Sequence, residues 1–401
     1  MNANSVPGLS VWFMPIIPIL PLLACIFVYG SFLLILKATV ACHGPSQDNA
    51  ESDEKYLPNV SIIIPAHNEE RIIEAKIQNT LGLEYPEERI EAIIVDDGST
   101  DGTRDIANRY VDGTHLRLFS RHSRGGYNSA TKQGLHCARG DVVVLSGAEV
   151  LYERDAVAKL CDHFRFAGIG AVTGRQVILN DNETFATCME RDYRELQHFL
   201  SKAESMLDQP FDVKGEIVAV RRAILTSAFE RMGATTRGSI DCCVACETRA
   251  QGLRLVYEPT AIYSEYVPST LRERFQMQTQ RSKILIESTL MYLWMVWAPK
   301  YGKFGMIILP YHLSLLVLVP WIFFAGLGCL AVVTLSNPFY LAVLMPFAAA
   351  MFHRRGRVLL SSYVLAQLSL AMGACLIAAR PKPYAPDKVE STRRSTRLGL
   401  P

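Results

Sequence analysis

The sequence predicts an α/β domain built on a mainly parallel sheet, with transmembrane helices at both ends of the chain. Three observations lead there. Short β-branched runs alternate with helical patterns from residue 58 to residue 146, the signature of βαβ units whose sheet is covered on both faces. Residues 11–37 form an apolar run long enough to cross about 30 Å of hydrocarbon as a helix, and residues 305–379 contain several more such runs. Arg and Lys crowd the tail, whereas the first ten residues carry none.

A chain of 401 residues holds one or two domains, and 49% hydrophobic content is the upper edge for a soluble protein. The first apolar run has no Lys or Arg before it and exceeds the length of a signal-peptide core, so residues 1–40 are expected to be a retained anchor. Basic flanks mark the cytoplasmic side. The N-terminus is therefore expected outside, with the central domain on the cytoplasmic face of the inner membrane. One early span and three later ones would leave the tail outside, yet both the basic tail (380–401) and "HRRGR" (353–357) ask to be inside. Either the third apolar run, "PFYLAVLMPFAAAMF", fails to cross fully, or 306–334 is more than one simple span. The ten cysteines show no paired zinc spacing, although Cys242, Cys243 and Cys246 fit one helix face; reduced, unpaired thiols are expected.

The elements follow in order. Residues 41–57, with "HGPSQDNAESDEK" and then Pro58, read as a polar linker. "VSIIIP" is a strand, "EERIIEAKIQNTL" a helix, "IEAIIV" a strand, 101–110 a helix, "HLRLF" a strand, "SATKQGLHCARG" a helix and "DVVVLS" a strand. Ligands of such sheets gather at the carboxyl ends of the strands. Asp96 and Asp97 in "IIVDDGSTDGT" (93–103) stand at such an end, before a helix start. A single Asp would serve a turn and a helix cap. Two in succession need a neutralising partner or something to hold, such as a ribose, a base edge or a metal-bound phosphate. No Gly-x-Gly-x-x-Gly follows any strand and no phosphate-loop motif occurs, which excludes support for a dinucleotide fold or a phosphate-loop ATPase. No nucleic-acid partner is expected.

"SIIIPAHNEE", "IIVDDGSTDGT", "ARGDVVVLSGAEV", "GIGAVTGRQVI", "KGEIVAVRRA", "IDCCVACETRAQGLRLVYEPTA" and "QTQRS" occur in that order. Together they resemble the membrane-bound family 2 glycosyltransferases, the group of the cellulose, chitin and hyaluronan synthases and the bacterial poly-N-acetylglucosamine synthases. The resemblance covers roughly residues 58–300 and, in hydropathy, the flanking membrane segments. It implies a GT-A domain over 58–270, a nucleotide-diphosphate sugar donor, a divalent Mg²⁺ or Mn²⁺ ion and inversion at the anomeric carbon. Interfacial helices would span 271–304, the C-terminal transmembrane region 305–379, and a cytoplasmic tail 380–401.

Site roles come from the same resemblance. Relatives hold the metal with an Asp-x-Asp turn; here the turn is Gly147-Ala148-Glu149, leaving Glu149 alone to meet the metal and the diphosphate. Asp241 matches the general base, with Ile240 where relatives have an acid. Gln278 and Arg281 keep the spacing of a Gln-x-x-Arg-Trp motif, with Ser282 in place of the Trp, and Arg281 would stabilise the departing diphosphate. Ala66, Asn68, Glu69, Asp96 and Asp97 would surround the nucleoside. Gly215 and Glu216 would face the acceptor, since a glycine lets backbone approach a sugar. In the segment matching a glycine-lysine loop, Tyr127 stands in the lysine's place and Lys132 follows.

Residues 284–305 are aromatic but contain Glu287, and a charge at the bilayer centre costs about 2.5–3.5 kcal/mol on the insertion scale. They are expected to lie in the interface, with Trp294 and Trp297 at headgroup level. The expected function is an inverting transfer of a sugar, most simply from a UDP-sugar, to a growing polysaccharide or lipid-linked acceptor at the bilayer. Two alternatives are a catalytically impaired nucleotide-sugar-binding relative acting beside a synthase, and a non-processive transferase using polyprenyl phosphate.

Overall fold

A computed structural model describes residues 19–42, 55–233, 238–379 and 392. The start of the expected anchor, residues 43–54 of the linker and all of the basic tail except Thr392 lie outside the described residues. The sheet has eight strands: β1 (Val60–Ala66), β2 (Ile90–Asp96), β3 (Leu116–Ser120), β4 (Val142–Leu145), β5 (Leu151–Tyr152), β6 (Ile169–Ile178), β7 (Val218–Arg221) and β8 (Arg254–Glu265), in spatial order β3-β2-β1-β4-β7-β6-β8-β5. The first half, β3-β2-β1-β4, is parallel. β7 runs antiparallel to both β4 and β6, and β8 returns parallel to β6.

Strand period explains the two cores. Successive side chains leave a strand on opposite faces, so Ile62, Ile64, Ile94 and Val144 join one buried cluster while Ile63, Ile93, Val95 and Val143 join the other. The first is covered by α2 (Ile73–Leu81) and α5 (Ala156–Asp162). The second is covered by α4 (Tyr127–Cys137), α7 (Arg222–Met232) and α8 (Ile240–Ala250). The helix expected from Glu69 begins at Ile73 because residues 67–72 are spent linking the loops after β1 and β2. The helix α3 (Thr103–Asn108) falls within its expected bounds.

Among the described residues, three helices are long and apolar enough to cross a membrane: α1 (Leu20–Cys42), α10 (Phe304–Ser336) and α12 (Arg354–Ala379). The third apolar run of the chain, "PFYLAVLMPFAAAMF" (338–352), gives only a 3₁₀ turn and the short helix α11 (Met345–Phe352). α1 and α10 pack antiparallel: Ser31 Oγ lies 3.0 Å from Tyr311 Oη, Phe32 stacks on Tyr311 at 4.8 Å, and Cys25 Sγ donates to the Val319 carbonyl at 3.8 Å. α10 carries prolines at 310 and 320, and a π-helical turn, Phe304–Ile308 and Ser314–Leu318, stands just before each. A widened turn absorbs the missing N–H and the ring's clash with the preceding turn.

The long helix α6 (Phe185–Leu207) docks the sheet domain onto these helices. Its C-terminal half places Phe199, Leu200 and Ala203 against Phe32 and Leu36 of α1, and its start places Cys188 and Met189 against Val358 of α12. Glu190 of α6 pairs with Arg274 of α9 (Leu271–Met291) at 3.0 Å, both nearly inaccessible. Arg354 donates to Cys188 Sγ at 3.5 Å, so the start of α12 meets the start of α6. Residues 284–291 complete α9 rather than starting a separate helix, and short 3₁₀ turns follow, with Trp297 71% exposed. All ten cysteines are free thiols, and Cys242, Cys243 and Cys246 are buried in α8.

Candidate active site

One cavity of about 1470 Å³ runs from the carboxyl end of β4 to the membrane helices. Glu149, Gly215, Glu216, Asp241, Gln278 and Arg281 all line it. Six of the residues singled out in the sequence, from four separate segments, thus meet around one space. Ala66, Asn68, Glu69, Asp96 and Asp97 do not line it; they gather beside it at the ends of β1 and β2.

Asp241 sits in the first turn of α8, partly buried. Gly215 presses backbone against it: a Cβ there would fall 2.2 Å from Asp241 Oδ1 and 2.8 Å from Cγ. Burial, then the Asp212 and Glu216 carboxylates, push the Asp241 carboxyl well above its ordinary range, against the pull of Arg281 and Lys214. Burial likewise raises Asp212 to about 6 and Glu265 to about 8. Arg281 approaches Glu216 at 3.9 Å. Ile240, where relatives carry an acid, is 2% exposed and belongs to the apolar core, so the position has been given to packing. Ser282, where relatives carry Trp, faces α12: a Cβ on Gly373 would lie 3.1 Å from the Ser282 Cβ.

Glu149 follows β4 and precedes β5. Its carboxylate folds back over Gly147, where a Cβ would come within 2.9 Å of Glu149 Oε2. Lys76, fully inaccessible, supports this turn from behind: its Nζ donates to the Val150 carbonyl at 3.0 Å and sits 4.0 Å from the Tyr152 ring centroid. Asn79 pairs with both backbone groups of Tyr152 at 2.8 Å. The Tyr152 hydroxyl lies 2.7 Å from the Glu216 carbonyl, which ties the Glu149 turn to the Gly215 segment.

Burial pushes Lys76 down to about 7, with the Glu149 carboxylate opposing. Between that value and the ordinary lysine range, the unfolded chain holds a proton that the folded protein has released. Stability is therefore lowest below about 7 and climbs as pH rises. Lys76→Met is expected to remove this slope, which amounts to at most about 2–3 kcal/mol between about pH 7 and about pH 9. Parallel thermal melts of both proteins across that window check it, and identical slopes would refute it.

At the β1 and β2 ends the side chains knit two loops together. Asn68, at φ 52°, accepts from Thr100 N at 2.7 Å, and its own N–H donates to Ser99 Oγ at 2.9 Å. Glu69 N donates to Thr103 Oγ1 at 2.6 Å, Asp96 accepts from Ser99 N at 3.0 Å, and the Ala66 carbonyl accepts from Asp97 N at 2.8 Å. Asp97 receives Gly125 N at 2.9 Å and Gly126 N at 2.7 Å, with Arg121 Nε at 3.3 Å. The two adjacent acids therefore divide their work: Asp96 closes its own turn, and Asp97 anchors the glycine loop that leads into α4.

Several cavity residues were given no role by the sequence. Tyr127 lies within the fields of Asp241, Glu216 and Glu149, and these acids together with burial raise its phenol far above the ordinary range. Asn128 donates to the Gly238 carbonyl at 2.9 Å and so fixes the approach to Asp241. Asp212, Lys214, Arg194 and Glu265 complete the charged wall. The alternating signs of "FDVKGE" were the available signal. Lys132 is not among the lining residues.

Among the described residues no group of three His, Cys, Asp or Glu is arranged to hold a metal ion. The chemistry here is narrower: one carboxylate, Glu149, over a glycine cradle beside a cavity. That fits an ion held jointly with phosphate oxygens, as Mg²⁺ commonly is, and does not fit an all-protein cage.

Comparison with known proteins gives the following. Residues 61–227 match the family described as Glycosyl transferase family 2. The poly-beta-1,6-N-acetyl-D-glucosamine synthase of Staphylococcus aureus (strain COL) is 24% identical over 217 residues, 54% of this chain and 52% of that one. The beta-monoglucosyldiacylglycerol synthase of Nostoc sp. is 30% identical over 175 residues, 43% of this chain and 37% of that one. The chain thus spans about half the length, or less, of these curated relatives. A mannosyltransferase from Pyrobaculum calidifontis, solved in complex with GDP-Man and Mn2+, superposes with a TM-score of 0.73 at 24% identity, covering 89% of this chain and 98% of that one. That likeness establishes a shared GT-A fold.

Proposed function

We propose, because residues 61–227 match the family described as Glycosyl transferase family 2, that the chain is an inverting glycosyltransferase that moves a sugar from a nucleotide-diphosphate donor to a hydroxyl presented at the bilayer. One observation carries this reading: Glu149, Asp241 and Arg281, contributed by three different segments, line a single cavity continuous with the membrane helices.

The donor's nucleoside rests at the ends of β1 and β2, on Ala66, Asn68, Glu69 and Asp96, and Asp97 holds the neighbouring glycine loop in place. Glu149 meets the diphosphate. Asp241 takes the proton from the acceptor hydroxyl, the freed oxygen forms a bond to the anomeric carbon, and the bond to the diphosphate breaks on the opposite side. Attack from that side inverts the configuration. Arg281, beside Glu216, and Gln278, whose buried Oε1 has no hydrogen-bond partner among the described residues, shape the departing side. Gly215 and Glu216 bring backbone to the acceptor. A divalent Mg²⁺ or Mn²⁺ ion, held by Glu149 together with phosphate oxygens, would neutralise charge on the leaving group.

The sheet domain is cytoplasmic at the inner membrane in this reading, with the cluster 353–357 on the same side, which satisfies the preference of basic residues. Residues 58–270 act as the catalytic domain, 271–304 as its interfacial support and 305–379 as the membrane region, with 1–40 the anchor.

The test offers full-length protein in membranes a panel of UDP- and GDP-sugars with Mg²⁺ or Mn²⁺, and follows nucleotide release. Release with one donor class is expected, together with its loss in Glu149→Gln and on chelation. Absence of release with every donor would favour the alternative of a non-catalytic nucleotide-sugar-binding relative, which the lone carboxylate of the 147–149 turn motivates.

A further inference from the structure

The ladder between β4 and β7 stops at the pair Leu145 and Val218. Beyond it β4 runs on into the 147–149 turn that carries Glu149, while β7 is reached through residues 212–217, whose Gly215 presses on Asp241. The Tyr152 side chain crosses this opening. Its hydroxyl lies 3.0 Å from the Leu145 carbonyl and 2.7 Å from the Glu216 carbonyl, so a single O–H is shared between the last residue of β4 and the opposite segment.

The two sides are held unequally. Tyr152, 3% exposed, is gripped from α2 and β8: Asn79 pairs with both of its backbone groups at 2.8 Å, and its backbone pairs with Tyr263. Lys76 Nζ lies 4.0 Å from the ring centroid while donating to the Val150 carbonyl at 3.0 Å, so one ammonium holds the ring and the turn together. The opposite segment is tied to β6 on either side of its tip: Lys214 N donates to Thr173 Oγ1 at 2.8 Å, and the Ile217 carbonyl accepts from Gly174 N at 3.1 Å. Gly215 and Glu216 lie between those ties, and there the phenol meets them.

We infer that Tyr152 is a positioning residue for transfer: its hydroxyl braces the Gly215–Glu216 tip against the firmly held Glu149 turn, and so sets the separation between the carboxylate at the leaving diphosphate and the base Asp241. The inference rests on the transfer reading above. Inverting displacement needs base and leaving group on opposite sides of one carbon, and a misplacement of about 1 Å costs about 10²-fold in rate. A phenol is a stiff spacer with few torsions, and here both its ring and its backbone are fixed. Because the turn side is the better held, loss of the hydroxyl should release the tip and leave the turn in place.

Tyr152→Phe keeps the ring on Lys76 and removes only the hydroxyl. In full-length protein reconstituted in liposomes it is expected to lower kcat about tenfold with donor KM unchanged, less than the cost of a full ångström because the ties at Lys214 and Ile217 remain. Amide hydrogen exchange should quicken in residues 214–217 and stay native in residues 149–152. Gly215→Ala displaces the same carboxylate, so the double variant should fall little below the worse single one. Unchanged kcat in Tyr152→Phe, a raised donor KM at native kcat, losses that multiply in the double variant, or exchange that quickens equally on both sides would overturn the proposal. A native protein that releases no nucleotide from any donor would instead remove the transfer reading, and with it the effect of Tyr152 on rate, while the exchange contrast would still decide whether the hydroxyl braces the tip.

Discussion

Asp241→Asn is expected to lower the transfer rate by about 10³-fold, within the range that general-base catalysis contributes, while leaving nucleotide-sugar affinity intact. Asn fills the same volume against Gly215 and keeps the α8 start, so the fold survives and the loss belongs to the proton transfer. The pH dependence has a definite sign. Burial and the Asp212 and Glu216 carboxylates raise the Asp241 carboxyl well above its ordinary range. The base works only when ionised, so kcat/KM should climb with pH through that raised value and fall away on the acid side. Asp212→Asn removes the stronger of the two like-charge influences and should shift the acid limb to lower pH. Stability carries the opposite sign: between the ordinary and the raised value the folded protein holds a proton that the unfolded chain has lost, so stability declines as pH rises through this window. Asp241→Asn should therefore melt higher than the native protein above that window. Unchanged turnover in Asp241→Asn would remove Asp241 from the reaction.

Gly215→Ala tests the same atom from the other side. The added Cβ would fall 2.2 Å from Asp241 Oδ1, and the carboxylate, being the free end of a side chain, is what yields. Stability should therefore change by no more than about 1 kcal/mol, whereas misplacing the base by an ångström is expected to cost about 10²-fold in rate. Single-turnover kinetics beside a thermal melt separates the two. Full activity in Gly215→Ala would mean that the carboxylate position is not rate-determining. A loss of fold would mean that the 212–217 segment is a packing element first.

The sequence by itself determined the parallel half of the sheet. β1, β2 and β4 are continuous β-branched runs, and residues of that kind flanked by helical periods leave little choice of arrangement. It likewise determined which loops carry the acids, since the ends of the strands are where the apolar runs stop, and it determined that several segments suit a bilayer, because length and hydropathy are local properties. It did not reveal the antiparallel return of β7, whose four residues, Val218–Arg221, acquire meaning only between β4 and β6.

Tertiary structure alone decided what each acid does. Asp96 and Asp97 are neighbours of the same type, yet one closes a turn and the other receives two glycine N–H groups from nearly thirty residues away. Whether Asp212, Glu216 and Lys214 surround Asp241 depends on how the segment before β7 packs against the start of α8, and neither stretch encodes the other. The same holds for Ser282, which makes room for Gly373 of α12 some ninety residues later. Residue period and chain sterics act over a few positions and can be read along the chain. The charge state of a buried carboxylate is set by whatever the fold brings within a few ångströms, and only the assembled packing specifies that.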